Sequence, residues 1–308
     1  MSKLPIPLKH HYLPIFYLKR WAGADGRICQ FSRPHKEIVP KRKHPAETGY
    51  VIRLYEMPGD PPERAQRIEQ GFMQPVDTLA ADALVMLENN DPCITSKSKM
   101  RSAWSRFIMS LLMRTPEDIS ALKSGVAEEW TRGILELYTE YSAKKGPNGP
   151  PTIEEYLVQR APHEVDRIAM ALAPMLIDHY MIGELLNNMR WLVVRISSNA
   201  GEFLTSDRPV LMTSTLTEDD AYIFFPIGPK TLFVAVNDIE TQRRIEACDP
   251  SERVERVNRF IAGHAVKYVY ARDDSALDYV RQHMGTHPRT SLIEQLVAFR
   301  KNCAQKDL

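Results

Sequence analysis

The sequence lacks several features that mark common classes of protein. No two of its four cysteines, Cys29, Cys93, Cys248 and Cys303, lie close together in the chain, which excludes a CxxC motif and zinc-finger ligand spacing. No apolar run predicts a membrane span. The amino-terminal segment MSKLPIPLKHHYLP has no apolar core like that of a signal peptide. We therefore expect a cytoplasmic protein with free thiols and no membrane partner.

A large excess of one charge is also missing. Lys and Arg total 40 and Asp and Glu total 39, for a net charge of +1, so binding to nucleic acid would require a local basic patch. The sequence contains no GxGxxG, GxxxxGK[ST], HExxH or GxSxG motif. These absences disfavour P-loop ATP hydrolysis, zincin proteolysis and α/β-hydrolase chemistry.

What is present indicates a folded α+β protein. The chain has 308 residues, of which 44% are hydrophobic and 26% are charged, as in ordinary globular proteins. Apolar residues recur at helical spacing over about 61–189, interrupted by a linker at 144–151, and from Arg190 to about 271 the period changes to two. We predict a single domain (1–308) with a large helical middle section and a mainly antiparallel sheet in the carboxyl-terminal half.

The amino-terminal region shows shorter elements. The pattern predicts a short helix over 15–21, an edge strand over 26–32 and a second strand over 50–55. Residues 33–48 are polar, basic and broken by three prolines, which predicts a loop.

Three stretches, in this order and spacing, resemble a bacterial family of unknown function numbered four-two-three-eight. They are HYLPIFYLKRW at 11–21, FLTSDRPV at 203–210 and FPIGP at 225–229. The resemblance covers nearly the whole chain but implies no established activity. Ile15 stands where the family usually shows a polar residue such as Gln, and Arg208 stands where it usually shows a compact Asn or Asp.

His11 and Asp207 are the candidate catalytic residues. Histidine exchanges protons near neutral pH, and a carboxylate beside it would act as a base or a metal ligand. Each residue also has a structural explanation. His11 would bond to backbone and hold the amino end, and Asp207 would accept a backbone N–H in a turn.

Five further residues are candidate ligand contacts. Tyr12 and Tyr17 would donate hydrogen bonds to an anion or stack on a base, and Arg101 would bind phosphate or carboxylate from a helix that runs to Met113. Ser206 lies beside Asp207, and Asn258 would reach a ligand or cap a strand edge. His264 has a plain explanation as a cap where a helix meets a strand.

A basic cluster offers a candidate nucleic-acid contact. Lys41, Arg42 and Lys43 lie in the proline-broken segment and would contact a phosphate backbone. No aromatic residue is interleaved among them for base stacking, and a solvated surface loop explains the same charges.

Two hypotheses remain open at this point. In one, the protein is a nuclease-like enzyme acting on nucleic acid or nucleotides through a cleft with His11, Asp207 and Arg101, with or without a divalent metal. In the other, it is a non-catalytic binding or interaction protein in which the same motifs are structural. The first requires His11 and Asp207 to line one cleft, and neither hypothesis specifies a cofactor or an oligomeric state.

Overall fold

The protein has a mixed α+β fold, as the sequence pattern predicts. The computed structural model describes residues 8–95, 98–213 and 215–306. The α-helices are α1 (Ile15–Leu18), α2 (Pro62–Ala65), α3 (Gln74–Glu88), α4 (Lys99–Met113), α5 (Pro116–Lys144), α6 (Ile153–Arg160), α7 (Glu164–Ile177), α8 (Tyr180–Asn188), α9 (Ile239–Ala247), α10 (Pro250–His264), α11 (Leu277–His283) and α12 (Leu292–Lys306). The strands are β1 (Lys9–His11), β2 (Ile28–Ser32), β3 (Val39–Lys43), β4 (Tyr50–Ile52), β5 (Arg190–Arg195), β6 (Thr205–Ser206), β7 (Leu211–Met212), β8 (Tyr222–Gly228), β9 (Thr231–Val236) and β10 (Tyr268–Ala271).

The described strands pair antiparallel in three groups. One sheet has the order β5-β9-β8-β7 and is built wholly from the carboxyl-terminal half, whereas the other four-stranded sheet has the order β3-β2-β10-β6. The remaining strands, β1 and β4, form a two-stranded ribbon. The second sheet therefore joins the two ends of the chain, because β10 pairs with both β2 and β6.

This pairing corrects the predicted strand partners. The sequence predicts one carboxyl-terminal sheet, but β6, which contains Thr205, pairs with β10 in the sheet that also contains β2 and β3. β2 is flanked by β3 and β10 and is not an edge strand. Period-two patterning indicates that a strand exists, but backbone hydrogen bonds formed by distant segments select its neighbour.

The predicted loop over 33–48 is wrong where it covers β3. Val39–Lys43 pairs with β2 along its length, with Pro40 opposite Phe31. β3 has only β2 as a neighbour in this sheet. An edge strand tolerates a proline because the missing N–H is not needed on its open side.

Helix boundaries follow capping chemistry. α4 begins after Ser98, whose hydroxyl accepts a hydrogen bond from the N–H of Arg101 at 3.1 Å. α5 begins with a capping box between Thr115 and Asp118. The last part of the predicted helical section divides after Ile177, three residues beyond Pro174.

Aromatic side chains join the helical section to the carboxyl-terminal sheet. Trp104 of α4 is fully buried, and its ring lies 5.7 Å from that of Phe225 and 5.6 Å from that of Phe233. Both phenylalanines belong to the sheet, on β8 and β9. Burial of these large rings contributes apolar stabilisation at this interface.

Within the described residues, one stretch has the length and composition of a membrane span. It covers Glu164–Asn188, with a mean hydropathy of 1.2 over its best window, of which 22% is buried. Here it consists of α7 and α8, separated at Asp178 and His179. The sequence pattern predicted no such run.

Candidate functional site

The amino-terminal motif packs against the carboxyl-terminal half of the chain. The Tyr17 hydroxyl lies 2.6 Å from Thr205 Oγ1 and donates to the carbonyl oxygen of Pro226 at 2.8 Å. Trp21 Nε1 donates to the carbonyl oxygen of Phe203 at 2.8 Å. The structure thus brings together the three stretches that carry the family resemblance. Tyr17 is fully buried, and its hydroxyl already has protein partners.

Tyr12 lies close to Asp207 but within the core. It is 3% exposed, and its carbonyl oxygen accepts a hydrogen bond from Arg114 Nε at 3.0 Å. Burial raises the pKa of the Tyr12 hydroxyl well above its usual value, with further contributions from Tyr270 and Asp207. Tyr12 is therefore a neutral hydroxyl at physiological pH.

His11 lies on the two-stranded ribbon, opposite Tyr50. Its ring centroid is 5.4 Å from that of Tyr50, and its Nε2 atom is buried with no hydrogen-bond partner in the described part of the chain. Burial lowers the pKa of His11 below 6.5, and the backbone at Ala46 only partly offsets this effect. His11 is thus a neutral imidazole, and none of its recorded interactions involves Asp207.

Asp207 binds the backbone that leads into β10. Its carboxylate accepts hydrogen bonds from the N–H groups of Val266 at 2.9 Å, Lys267 at 2.5 Å and Tyr268 at 3.0 Å. Burial raises the pKa of Asp207 to about 6, and these donors limit the rise. Ser206 Oγ accepts from the N–H of Arg208 at 3.1 Å. Ser206, Asp207 and Arg208 form a turn, which we call the SDR turn. These contacts match its structural explanation. The catalytic role stays a prediction.

Arg101 connects α4 to the start of the sheet. Its guanidinium donates to the carbonyl oxygens of Asn187 at 2.7 Å and Met189 at 2.5 Å, and it lies 3.7 Å from the ring centroid of Trp191. Burial lowers the pKa of Arg101 to about 10. The guanidinium is therefore bound by groups of the protein itself. Its contacts in the described part of the chain do not include His11 or Asp207.

Asn258 holds the segment that leads into β6. Its Oδ1 accepts from the N–H of Leu204 at 2.8 Å, and its Nδ2 donates to the carbonyl oxygen of Glu202 at 2.9 Å. The side chain therefore satisfies backbone groups that enter the strand, which is the capping role considered from the sequence.

The basic cluster lies on the edge strand β3. Arg42 Nη2 forms an ion pair with Asp25 at 2.5 Å and donates to the carbonyl oxygen of Arg27 at 2.8 Å. Lys41 is exposed and Lys43 is half-buried. A nucleic-acid contact at this strand stays a prediction, and it would depend mainly on the two lysines.

A small cavity forms beside the SDR turn, where sequence patterns did not indicate one. We call it the polar cavity for its charged side chains, and apolar side chains, including Leu111, Val210 and Leu292, form the rest of its wall. It has a volume of about 60 Å³. The charged and titratable side chains that line it are Asp118, Arg208, His264 and Arg289. Arg208 Nη1 donates to the carbonyl oxygen of Arg289 at 3.2 Å, and Arg289 Nη1 donates to that of Met212 at 2.9 Å.

Two helices start at this cavity. Thr115, at the start of α5, and Ser291, at the start of α12, both line it. The hydroxyl of Ser291 accepts from the N–H of Glu294 at 3.2 Å, and the carboxylate of Glu294 accepts from the N–H of Ser291, which forms a second capping box. Both helix amino termini add positive potential to that of the arginines.

One polar atom at the cavity, the buried donor Arg208 Nε, has no hydrogen-bond partner in the described part of the chain. Asp118 is 2% exposed, and its Oδ2 atom accepts from the N–H and the hydroxyl of Thr115 at 3.1 and 2.7 Å. Its Oδ1 atom has no partner of good geometry, but the Ser291 side chain also interacts with this carboxylate. An unsatisfied buried donor is costly, so a ligand that offers an anionic oxygen would satisfy Arg208 Nε.

The cavity also perturbs His264. Burial lowers the pKa of His264 to about 4, with additional effects from Arg289, His287 and Arg208. At neutral pH the imidazole is therefore uncharged, and the arginines supply the positive charge. Burial also raises the pKa of Asp118, and hydrogen bonds from the side chains of Thr115 and Ser291 oppose this rise.

Sequence reasoning missed this cavity for identifiable reasons. It noted Arg208 only as a departure from the family pattern and His264 only as a cap, and it did not single out Arg289. The capping pairs Thr115 with Asp118 and Ser291 with Glu294 were available signals. They mark helix starts, but only tertiary structure brings two starts together.

No metal centre is evident in the residues that the structure describes. Across 8–95, 98–213 and 215–306, no group of three or more His, Cys, Asp or Glu side chains is placed to hold a metal ion. The polar cavity contributes one carboxylate and one imidazole beside two arginines, and this donor set suits an anion better than a cation.

The fold defines a class of α+β protein in which a helical section packs on an antiparallel sheet and a second sheet joins the two chain ends. The chain belongs to the family described as protein of unknown function (DUF4238), whose model matches residues 9–275. No curated protein and no solved structure is significantly similar to it. Asp118, Arg208 and His264 lie within the matched residues, whereas Arg289 and Ser291 lie beyond them.

Proposed function

We propose that this protein binds a phosphate-bearing ligand, such as a nucleotide. The site is the polar cavity whose charged and titratable side chains are Asp118, Arg208, His264 and Arg289. The observation that carries the proposal is the buried, unpartnered donor Arg208 Nε at a cavity that two helix starts and a second arginine also line. Arginine and helix amino termini are recurrent phosphate-binding groups.

The cavity size and its acceptor favour a phosphate group. A volume of about 60 Å³ suits a small tetrahedral group rather than a whole nucleotide, so the rest of the ligand would extend outside. The Asp118 carboxylate also lines the cavity and would accept a hydrogen bond from a protonated phosphate oxygen. Sulfate carries no such proton at neutral pH, so the cavity would prefer phosphate.

Binding, rather than catalysis at His11 and Asp207, is the activity that this geometry supports. The Asp207 carboxylate accepts three backbone N–H groups, and the Arg101 guanidinium donates to backbone carbonyl oxygens. These contacts favour the hypothesis of a binding protein whose family motifs are structural. A nuclease-like reaction stays a prediction that would need a separately positioned nucleophile.

Calorimetric titration with inorganic phosphate, sulfate and a nucleoside monophosphate tests the proposal. Arg208→Gln is expected to weaken phosphate binding at least tenfold, since a hydrogen bond to a charged group contributes about 1.5–3 kcal/mol. Arg256→Gln is the matched control, because Arg256 is exposed on α10, the helix of His264, and does not line the cavity.

Melting curves of each variant establish whether it is folded, and Arg289→Gln provides a second test of the same cavity. Equal phosphate affinity in the wild type, both cavity variants and the control would overturn the proposal. Absence of phosphate binding by the wild type at tens of millimolar would also overturn it. A preference for sulfate would contradict the role given to Asp118.

A further inference from the structure

A second, much larger cavity lies in the helical section between α5, α6, α7 and α12. Its volume is about 740 Å³. Its wall is almost wholly apolar, and its lining includes Leu122, Val126, Trp130, Ile134, Leu172 and Leu296. The polar cavity beside Arg208 is a separate site with different lining residues.

This volume is too large for a packing defect. Protein interiors are close-packed, with few voids larger than a water molecule, whereas small-molecule sites usually occupy about 300–1,000 Å³ and have mainly apolar walls. The cavity has both properties. Its exposed apolar wall would be stabilised by an apolar occupant.

A glycine in the middle of α5 keeps the space open. A Cβ atom at Gly133 would meet no heavy atom within 4 Å, although the residue lines the cavity. Glycine inside a helix is unfavourable by roughly 0.5–1 kcal/mol relative to alanine. At Gly125, eight positions earlier on the same helix, a Cβ atom would lie 2.6 Å from Val297 Cγ2. The absence of a side chain at Gly125 therefore allows α5 to contact α12, whereas Gly133 faces open space at the cavity.

The charges at the rim indicate the head group of the occupant. Glu128 is paired with Lys301 at 2.7 Å, and Glu129 is paired with Arg132 at 3.3 Å. Arg300 also lines the cavity and has no carboxylate partner within the part of the chain that the structure describes. The four charged lining residues, Glu128, Glu129, Arg300 and Lys301, sum to zero, but Glu129 pairs with Arg132 outside the lining. Arg300 is thus the lining cation that has no ion-pair partner among the described residues.

We infer that this cavity binds a long-chain aliphatic carboxylate, with its chain among the apolar side chains of α5, α6, α7 and α12 and its head group near Arg300. A saturated chain fits a wall that offers few hydrogen-bond partners. A carboxylate complements the guanidinium, which forms paired hydrogen bonds with it. This inference is independent of the phosphate site.

Titration with decanoate, dodecanoate and tetradecanoate, each below its micellar concentration, tests the inference. Trp130 lines the cavity and provides a fluorescence signal, and calorimetry gives the stoichiometry. The affinity is expected to rise up to roughly fourfold per added methylene, as the transfer of a buried CH₂ predicts. Binding is expected to saturate at one molecule per chain.

Two variants distinguish binding in this cavity from nonspecific hydrophobic binding elsewhere on the protein. Gly133→Phe fills the cavity from a position with open space, so it should reduce dodecanoate affinity at least tenfold while the protein stays folded. Leu135→Phe is the matched control, because Leu135 is 65% exposed on the same helix and does not line the cavity. Arg300→Gln should weaken binding of dodecanoate but leave that of dodecanol unchanged.

The inference fails if affinity does not depend on chain length. It also fails if Gly133→Phe binds dodecanoate as well as the control does. Concentration-dependent dimerisation that Gly133→Phe abolishes, together with no dodecanoate binding, would instead assign the cavity to a second copy of the chain. Loss of folding in Gly133→Phe, seen by circular dichroism, would transfer the test to Gly133→Leu, for which the same outcomes are decisive.

Discussion

The Tyr17 hydroxyl lies 2.6 Å from Thr205 Oγ1, across 188 positions of the chain. This contact joins the amino-terminal family motif to the motif that contains Asp207, inside the core. The contact shows that conspicuous residues of the two motifs can have a structural role. Tyr17 also donates to Pro226, which belongs to the third motif, so one buried side chain contacts the two other conspicuous stretches.

We predict that Tyr17→Phe lowers the free energy of unfolding by about 1–3 kcal/mol, because it leaves buried polar partners without their hydrogen bond. Urea denaturation measures this change. Tyr138→Phe is the control, since Tyr138 is 42% exposed on α5. A loss of stability no larger than that of the control would show that the contact with Thr205 is energetically neutral.

Asp207→Ala is expected to destabilise the protein by roughly 2–5 kcal/mol, because the N–H groups of Val266, Lys267 and Tyr268 lose a charged acceptor. Asp207→Asn should cost less, since its carbonyl oxygen still accepts. Melting temperatures and urea denaturation give the order. Unchanged stability of Asp207→Ala would contradict the structural role and favour a ligand contact, and His11→Ala can be compared in the same way.

Alanine substitutions at two glycines of α5 should have opposite signs. Gly125→Ala is expected to lower the free energy of unfolding by about 1–3 kcal/mol, because the new methyl group overlaps Val297. Gly133→Ala should raise it by up to about 1 kcal/mol through helix propensity. Urea denaturation of both variants tests the sign. Stabilisation by Gly125→Ala would show that α12 can move away from α5 without loss.

His264 should make stability depend on pH. Its pKa is about 4 in the folded protein and about 6.5 when unfolded, so the unfolded chain binds more protons between these values. The free energy of unfolding should therefore fall as pH drops from 6.5 to 4. NMR titration of the imidazole and denaturation of His264→Gln, which should lose this contribution, provide the measurements.

Phosphate should raise the pKa of His264 in the same NMR titration. Arg208, Arg289 and His287 oppose the imidazolium, and Asp118 is the carboxylate at the cavity. A bound anion would add negative charge beside the imidazole. The unrelated surface histidine His35 is the internal control. A His264 pKa that phosphate leaves unchanged would contradict binding at this cavity.

The sequence predicted much of the fold because local patterns determine local structure. The change of apolar period at Arg190 located the boundary between the helical section and the sheet. It did not predict β3, since Pro40 is tolerated only because the strand lies at an edge. It also placed the strand around Thr205 in the wrong sheet.

The sequence alone therefore determined the fold class, the family resemblance and the helical character of 61–189. Tertiary structure decided which polar side chains form hydrogen bonds within the protein and which remain available to a ligand. Asp207 and Arg101 looked functional as residue types, yet their partners are backbone groups of distant segments. No local pattern indicated that Arg208, Asp118 and Arg289 share a cavity, because a cavity is formed by side chains from separate elements whose proximity depends on the packing of the whole chain.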